Sequence, residues 1–158
     1  MLIDCGQAYT ITVPSMTIPT TAGAGSTIDI FNIATSSTVP ILVTRVVATA
    51  AQTAAAIGQV QLMRRSGAGT GGTGVSALPT NGGSSASSVT ATYLVVTTVG
   101  AAGNVMDSQQ WNEFAPYEFN QKPAGVLVPA SGFISLALVG LPASTYTAAF
   151  TVELVELK

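Results

Sequence analysis

A chain of 158 residues with five basic and seven acidic side chains is 8% charged and 47% hydrophobic, with a formal charge of −2. Ordinary soluble domains are about 25% charged, so this composition excludes nucleic-acid binding through clustered Lys and Arg. The length fits one domain with a real core. So sparse a charge predicts a surface of Thr, Ser, Ala, Gly and Gln that is either neutral and exposed or hidden in an assembly.

The first candidate strand is Ala8 to Val13, stopped by Pro14. The segment 1–20 is expected to be an N-terminal arm that crosses to a neighbour, ahead of a β-sandwich domain over 21–158. Thr20 to Ser26 reads as a loop, and Thr27 to Ala34 as a second strand with apolar residues on both faces (Phe31 and Ile33 against Ile28 and Ile30), hence buried on both sides. After a turn at Thr35–Thr38, Pro40 opens the β-branched run Ile41–Thr49. The Ala-rich stretch Ala50 to Ala56 has the composition of one helical turn, but Thr53 and Gly58 favour a hairpin connection into Gln59–Arg65, where Val60 and Leu62 point inward.

Ser66 to Ser88 is a low-complexity excursion holding 7 of the 16 glycines, with a short strand at Gly74–Leu78. No GK[ST] and no helix start follow it, so it is not a phosphate-binding loop. Val89 to Val99 is another strand, and Gly100 to Gly103 a turn. Asp107 to Asn120 contains the sole Trp and four of the ten aromatics. Val126–Val128 then leads to a closing hairpin. Its first strand carries Ile134, Leu136 and Leu138 on one face, Gly140–Ser144 turns, and Tyr146, Ala148, Phe150, Val152 and Leu154 alternate with polar residues in the second. Short strands separated by turns, with no convincing helix, predict an all-β, single-domain, jelly-roll-like β-sandwich with a long Gly/Ser/Thr-rich loop.

The chemistry available is narrow. With no histidine anywhere, Ser-His-Asp and Cys-His catalysis and His-based metal sites are excluded. Cys5 is the only cysteine, which excludes an intrachain disulfide and a thiolate zinc site; it reads as an inert thiol of a chain folded in reducing cytoplasm, with an intermolecular disulfide as the alternative. No DxDxDG-type calcium loop occurs. Neither a secretory signal nor a membrane span is expected: Met1–Asp4 has no basic region, and the apolar run Pro123–Val152 is broken by prolines and glycines. Asp107, Glu113 and Glu118 lie among Trp111, Phe114, Tyr117 and Phe119. A glycosidase cleft, a sugar platform on Trp111 and Tyr117, and a loop anchored by its aromatics all fit that grouping; the last fits best. Of Arg64 and Arg65, one is expected in solvent and the other paired with a carboxylate or a neighbouring subunit.

One family resemblance runs along Ile28 to Lys158. Ile41-Leu42-Val43-Thr44-Arg45 precedes Gln61-Leu62-Met63-Arg64-Arg65. Thr70-Gly71-Gly72-Thr73 and Ala77-Leu78-Pro79 follow, then Trp111-Asn112-Glu113-Phe114, Gly125 to Phe133, and Phe150-Thr151-Val152-Glu153-Leu154. In order and spacing this resembles the small β-sandwich decoration, or cement, proteins of tailed-bacteriophage heads. The resemblance implies a non-enzymatic protein on the outer capsid surface, made in the host cytoplasm. It implies a homotrimer that binds the major capsid protein between capsomers and needs no cofactor, metal, nucleic acid, membrane or small-molecule substrate. By exposed-aromatic logic the interface would use Trp111, Phe114, Tyr117 and Phe119, with Arg64 and Arg65. A second reading is a carbohydrate- or receptor-binding domain of a virion fibre or tail.

Overall fold

The computed structural model describes residues 6–23, 27–51, 58–81, 85–111, 115–122 and 124–158. Every regular element among them is a strand: β1 (Gln7–Ile18), β2 (Thr27–Ala34), β3 (Ile41–Ala51), β4 (Gly58–Arg65), β5 (Thr73–Val75), β6 (Leu78–Pro79), β7 (Thr90–Val95), β8 (Val105–Trp111), β9 (Tyr117–Asn120), β10 (Val126–Val128), β11 (Phe133–Val139) and β12 (Tyr146–Glu156). They form two antiparallel sheets. Sheet A runs β10-β3-β12-β1-β6, with β9 also on β3, and sheet B runs β5-β7-β2-β11-β4-β8. With β5–β7 taken as an insertion and β9–β10 as one position, eight main strands remain, in the spatial orders 1-8-3-6 and 2-7-4-5. That interleaving, in which every consecutive pair except the fourth and fifth strands switches sheets, is a jelly roll.

The core lies between the sheets and follows from alternation. Tyr146, Ala148, Phe150, Val152 and Leu154 of β12 face inward, opposite Ile134, Leu136 and Leu138 of β11, and all are buried. Phe31 meets Phe150 across the gap, ring centroids 5.2 Å apart. Val60 and Leu62 are buried as expected, and β2 is buried on both faces.

Three connections differ from the sequence reading. The closing segment is not a hairpin: β11 pairs with β2 and β4 in sheet B, whereas β12 pairs with β1 and β3 in sheet A. The link from β3 to β4 likewise joins the two sheets instead of turning back within one; most of Ala50–Ala56 falls outside the described residues. A short turn looks the same in sequence whether the chain folds back in its own sheet or crosses the core. Pro14 does not end the first strand either. β1 continues to Ile18, with a register shift between Val13 and Met16 that gives the residue lacking an N–H its place in a bulge. The same strand pairs along its length with this chain's own β12, Gln7 opposite Glu156, so residues 7–18 form part of sheet A; residues 1–5 lie outside the described residues.

The outer face of sheet B buries ions. Asp29 and Arg65 form an ion pair with side-chain exposures of 0% and 4%. Ser135 donates to Asp29 Oδ2 at 3.1 Å, and Asn32 Nδ2 donates to Ser135 Oγ at 2.9 Å. Burial pushes the Asp29 carboxyl up, more than Arg65, Ser135 and the Gly100 N–H pull it down. Two segments roof this cluster, joined by Ser66 N–H to Ala101 O (3.2 Å) and Thr70 N–H to Thr98 O (2.8 Å). The roof needs glycine. A Cβ on Gly100 would fall 2.3 Å from the Gly67 carbonyl oxygen, and Gly71, at φ +81°, would put one 2.0 Å from Thr97 Oγ1. The glycine-rich excursion is therefore packed against the sheet, not held away from it.

Removing either partner strands a buried charge. Arg65→Ala and Asp29→Ala should each cost about 3–5 kcal/mol, and the double substitution less than the sum. Urea denaturation followed by Trp111 fluorescence measures this; additive costs would mean the two groups act separately.

Candidate interaction surface

The two sides of the sandwich are finished differently. On one side the insertion closes both sheets: β5 extends sheet B by pairing with β7, and β6 extends sheet A by pairing with β1. The chain that follows is fastened there. Tyr9 Oη donates to the Ser85 carbonyl at 3.0 Å, and the Glu156 carboxylate accepts from Ser87 Oγ (2.7 Å), Ser88 N–H (2.5 Å) and Ser88 Oγ (3.0 Å), with Lys158 Nζ at 3.3 Å. Burial pushes the Glu156 carboxyl up, but the bonds from Ser87 and Ser88 outweigh it and hold its pKa below the usual 4.5.

On the other side β8 pairs only with β4, and β9 and β10 only with β3. The outer margins of both sheets are open there among the described residues. A groove of about 500 Å³ lies between them, lined by Arg64, Asn104, Met106, Phe119, Gln121, Gly125, Val126 and Leu127. Arg64 spans it and donates from Nη2 to the Leu127 carbonyl. Asp107 faces the Tyr117 phenol, whose pKa is raised by burial and then by that carboxylate. Gln109 Nε2 reaches the Glu118 carbonyl at 3.4 Å.

Several of the sequence-predicted interface residues gather at this open side, but not as exposed anchors. Trp111 (2% exposed) packs edge-on against Tyr146 at 5.9 Å; Tyr117 is 1% exposed and Phe119 is buried. That corrects their reading as surface anchors, and with it the sugar platform on Trp111 and Tyr117. The signal was available: Tyr117-Glu118-Phe119-Asn120 alternates aromatic and polar, which is the pattern of a half-buried strand. Phe114 and Glu113 lie outside the described residues. Arg64 is exposed on the groove, while Arg65 is buried against Asp29. Of the three grouped carboxylates, the two described, Asp107 and Glu118, do not converge. Asp107 points into the gap, whereas Glu118, next to inward-facing Tyr117, points out and pairs with Arg45 at 3.1 Å. Missed by the sequence reading were the exposed apolar residues of the margins, Val105 on β8 and Leu127 on β10.

Charge outside the core is also committed internally. Arg45 bridges Glu118 and Glu153, and Lys122 pairs with Glu153, whose carboxyl Lys122 and then Arg45 hold below its usual range against an opposing push from burial.

No protein-family model and no curated protein matches the chain. Among solved structures, similarity is found to infectious bursal disease virus. The Gx strain structure is 16% identical over 96% of this chain and 32% of that one, at a TM-score of 0.32. The Gt strain structure is 16% identical over 98% and 42%, at 0.25, and the VP2 subviral particle 13% identical over 98% and 42%, at 0.22. This chain thus spans well under half the length of those chains.

The Glu156 clamp has a pH signature. Its folded pKa lies below the unfolded one, so its stabilisation is present above about pH 4.5 and is lost as pH falls through the folded value. Asp29, with a raised pKa, acts in the opposite sense. Glu156→Gln should cost about 1–2 kcal/mol at neutral pH and flatten the acid limb of stability below about pH 4.5. Thermal melts across that range test it, and an unchanged acid slope would refute the clamp.

Proposed function

We propose that this chain is a structural virion protein. It decorates the outside of an icosahedral phage shell, binds the major capsid protein between capsomers as a homotrimer, and thereby stabilises the shell. The observation that carries this reading is the jelly roll's unfinished side: two open strand margins and, between them, a groove of mixed apolar and polar lining whose one cation, Arg64, is hydrogen-bonded to the Leu127 carbonyl. Jelly rolls serve virus shells and lectins alike, so architecture alone does not choose. Charge supports the shell. Four of the five cations are ion-paired with carboxylates and the fifth, Arg64, donates to a carbonyl, so little free charge is left to steer the protein toward a charged ligand, which suits burial between subunits. The reading involves no catalysis, cofactor, nucleic acid or membrane. The protein is made in the host cytoplasm and works on the outer capsid surface.

Purified protein mixed with undecorated phage shells should co-sediment to a saturable stoichiometry. Its affinity should change by less than about threefold between low and high salt, since few contacts are ionic. A glycan array should give no saturable signal. Failure to bind shells, or a saturable glycan, would overturn the proposal.

A further inference from the structure

We propose that the groove at the open side takes an extended segment of a partner protein, one in which an acidic side chain lies between apolar ones, and that Arg64 receives its carboxylate. The inference deepens the reading above by naming the part of the partner that is bound. It starts from how the chain uses its cations. Arg45, Arg65, Lys122 and Lys158 are each ion-paired with a carboxylate of this chain. The fifth basic residue, Arg64, bonds a neutral acceptor instead, the Leu127 carbonyl.

Strand registers place this cation in the mouth of the sandwich. Arg64 lies opposite Ile134, Val126 opposite Val43 and Phe119 opposite Val46, and each of those three partners is in the core. Residues directly opposite one another point to the same face of a sheet. Arg64, Val126 and Phe119 therefore face the gap between the sheets, and Arg64 reaches across it from sheet B to the backbone of sheet A. Around it the lining supplies Met106, Phe119 and Val126 as an apolar wall, Asn104 and Gln121 as amides, and no carboxylate. Asp107, next to Met106, faces Tyr117 instead, and its Oδ2 is buried.

One cation, two amides and an apolar wall suit a carboxylate carried among apolar groups. A carboxylate offers the guanidinium a charged, bidentate partner in place of one neutral oxygen, so the exchange favours it. A single such contact selects on arrival and does not steer from a distance. The open margins choose a peptide over a small acid. Among the described residues β8 and β10 each pair on one side only, which leaves outer backbone groups for an added strand. When Arg64 turns to the incoming carboxylate, the Leu127 carbonyl is released to accept an N–H of that strand. Until then Arg64 caps it and guards this margin in the free protein.

Panning a bead-displayed library of random peptides on the whole protein tests this without any shell. Wild type should enrich sequences with Asp or Glu between apolar residues. A resynthesised peptide of that kind should bind saturably. It should lose affinity at least about tenfold on Arg64→Gln, or on exchange of its own acid for the amide. The two changes together should cost no more than one alone, and Arg45→Gln should leave binding unchanged. Circular dichroism verifies folding. If Arg64→Gln unfolds the chain, Gln121→Glu at an exposed position replaces it, since it puts an acid into the groove. No enrichment, a consensus without an acid, or an acidic peptide indifferent to the folded variant would each overturn the proposal. So would displacement of the peptide by an equal concentration of butyrate, which would mark a site for free carboxylates. Self-association lost on Arg64→Gln would put a second copy in the groove and overturn it too. Peptide binding by a protein that ignores shells would keep this inference and remove decoration; shell binding with no peptide bound would do the reverse.

Discussion

Backbone N–H and C=O groups along the margin of a sheet must find partners in protein or in water, and the layout of this chain follows from how it meets that demand. The 66–88 segment leaves β4 in sheet B, gives β5 to one margin of that sheet and β6 to the adjacent margin of the other, and is fixed by Glu156 as it returns. The opposite margins receive only β8, β9 and β10, with nothing beyond them among the described residues. One side of the molecule is thereby sealed, and the other is left as its reactive flank.

Most ionic groups are paired with one another, one pair in the interior and the rest at the surface. Asp29 and Arg65 are tied beneath a glycine-dependent roof, Arg45 and Lys122 converge on Glu153, and Lys158 lies beside Glu156. Buried pairs of this kind add little net stability, but breaking one is costly. Here Asp29–Arg65 fixes the outer layer of sheet B to the strands beneath it. Apart from the surface pairs and Arg64, what is exposed is mostly Thr, Ser, Ala, Gly and Gln.

Much of this was legible in the residues. The period-two runs located β3, β4, β11 and β12 closely, and the doubly apolar run located β2, and with them most of the core. Sheet membership was not legible: nothing in Gly140–Ser144 says whether the next strand returns beside its neighbour or crosses the core. The candidate site was legible in part. The 107–120 stretch does lie at the open side, but its aromatics face inward, and treating each as a free-standing anchor overlooked their alternation with Glu118 and Asn120. The glycines of 66–74 suggested slack, whereas several of them mark places where two backbones touch. The Asp29–Arg65 pair joins residues far apart in the chain, so no local pattern could reveal it.

The pairing of β1 with β12 bears on how the molecule responds to load. Gln7 stands opposite Glu156 and the strands run antiparallel, so tension applied across those two residues meets the ladder one rung at a time and unzips it, without shearing all rungs together. Resistance at the start of that path comes from the serine hydrogen bonds on Glu156. The sandwich therefore opens more easily by peeling along this seam, one rung at a time, than by sliding the two strands past each other.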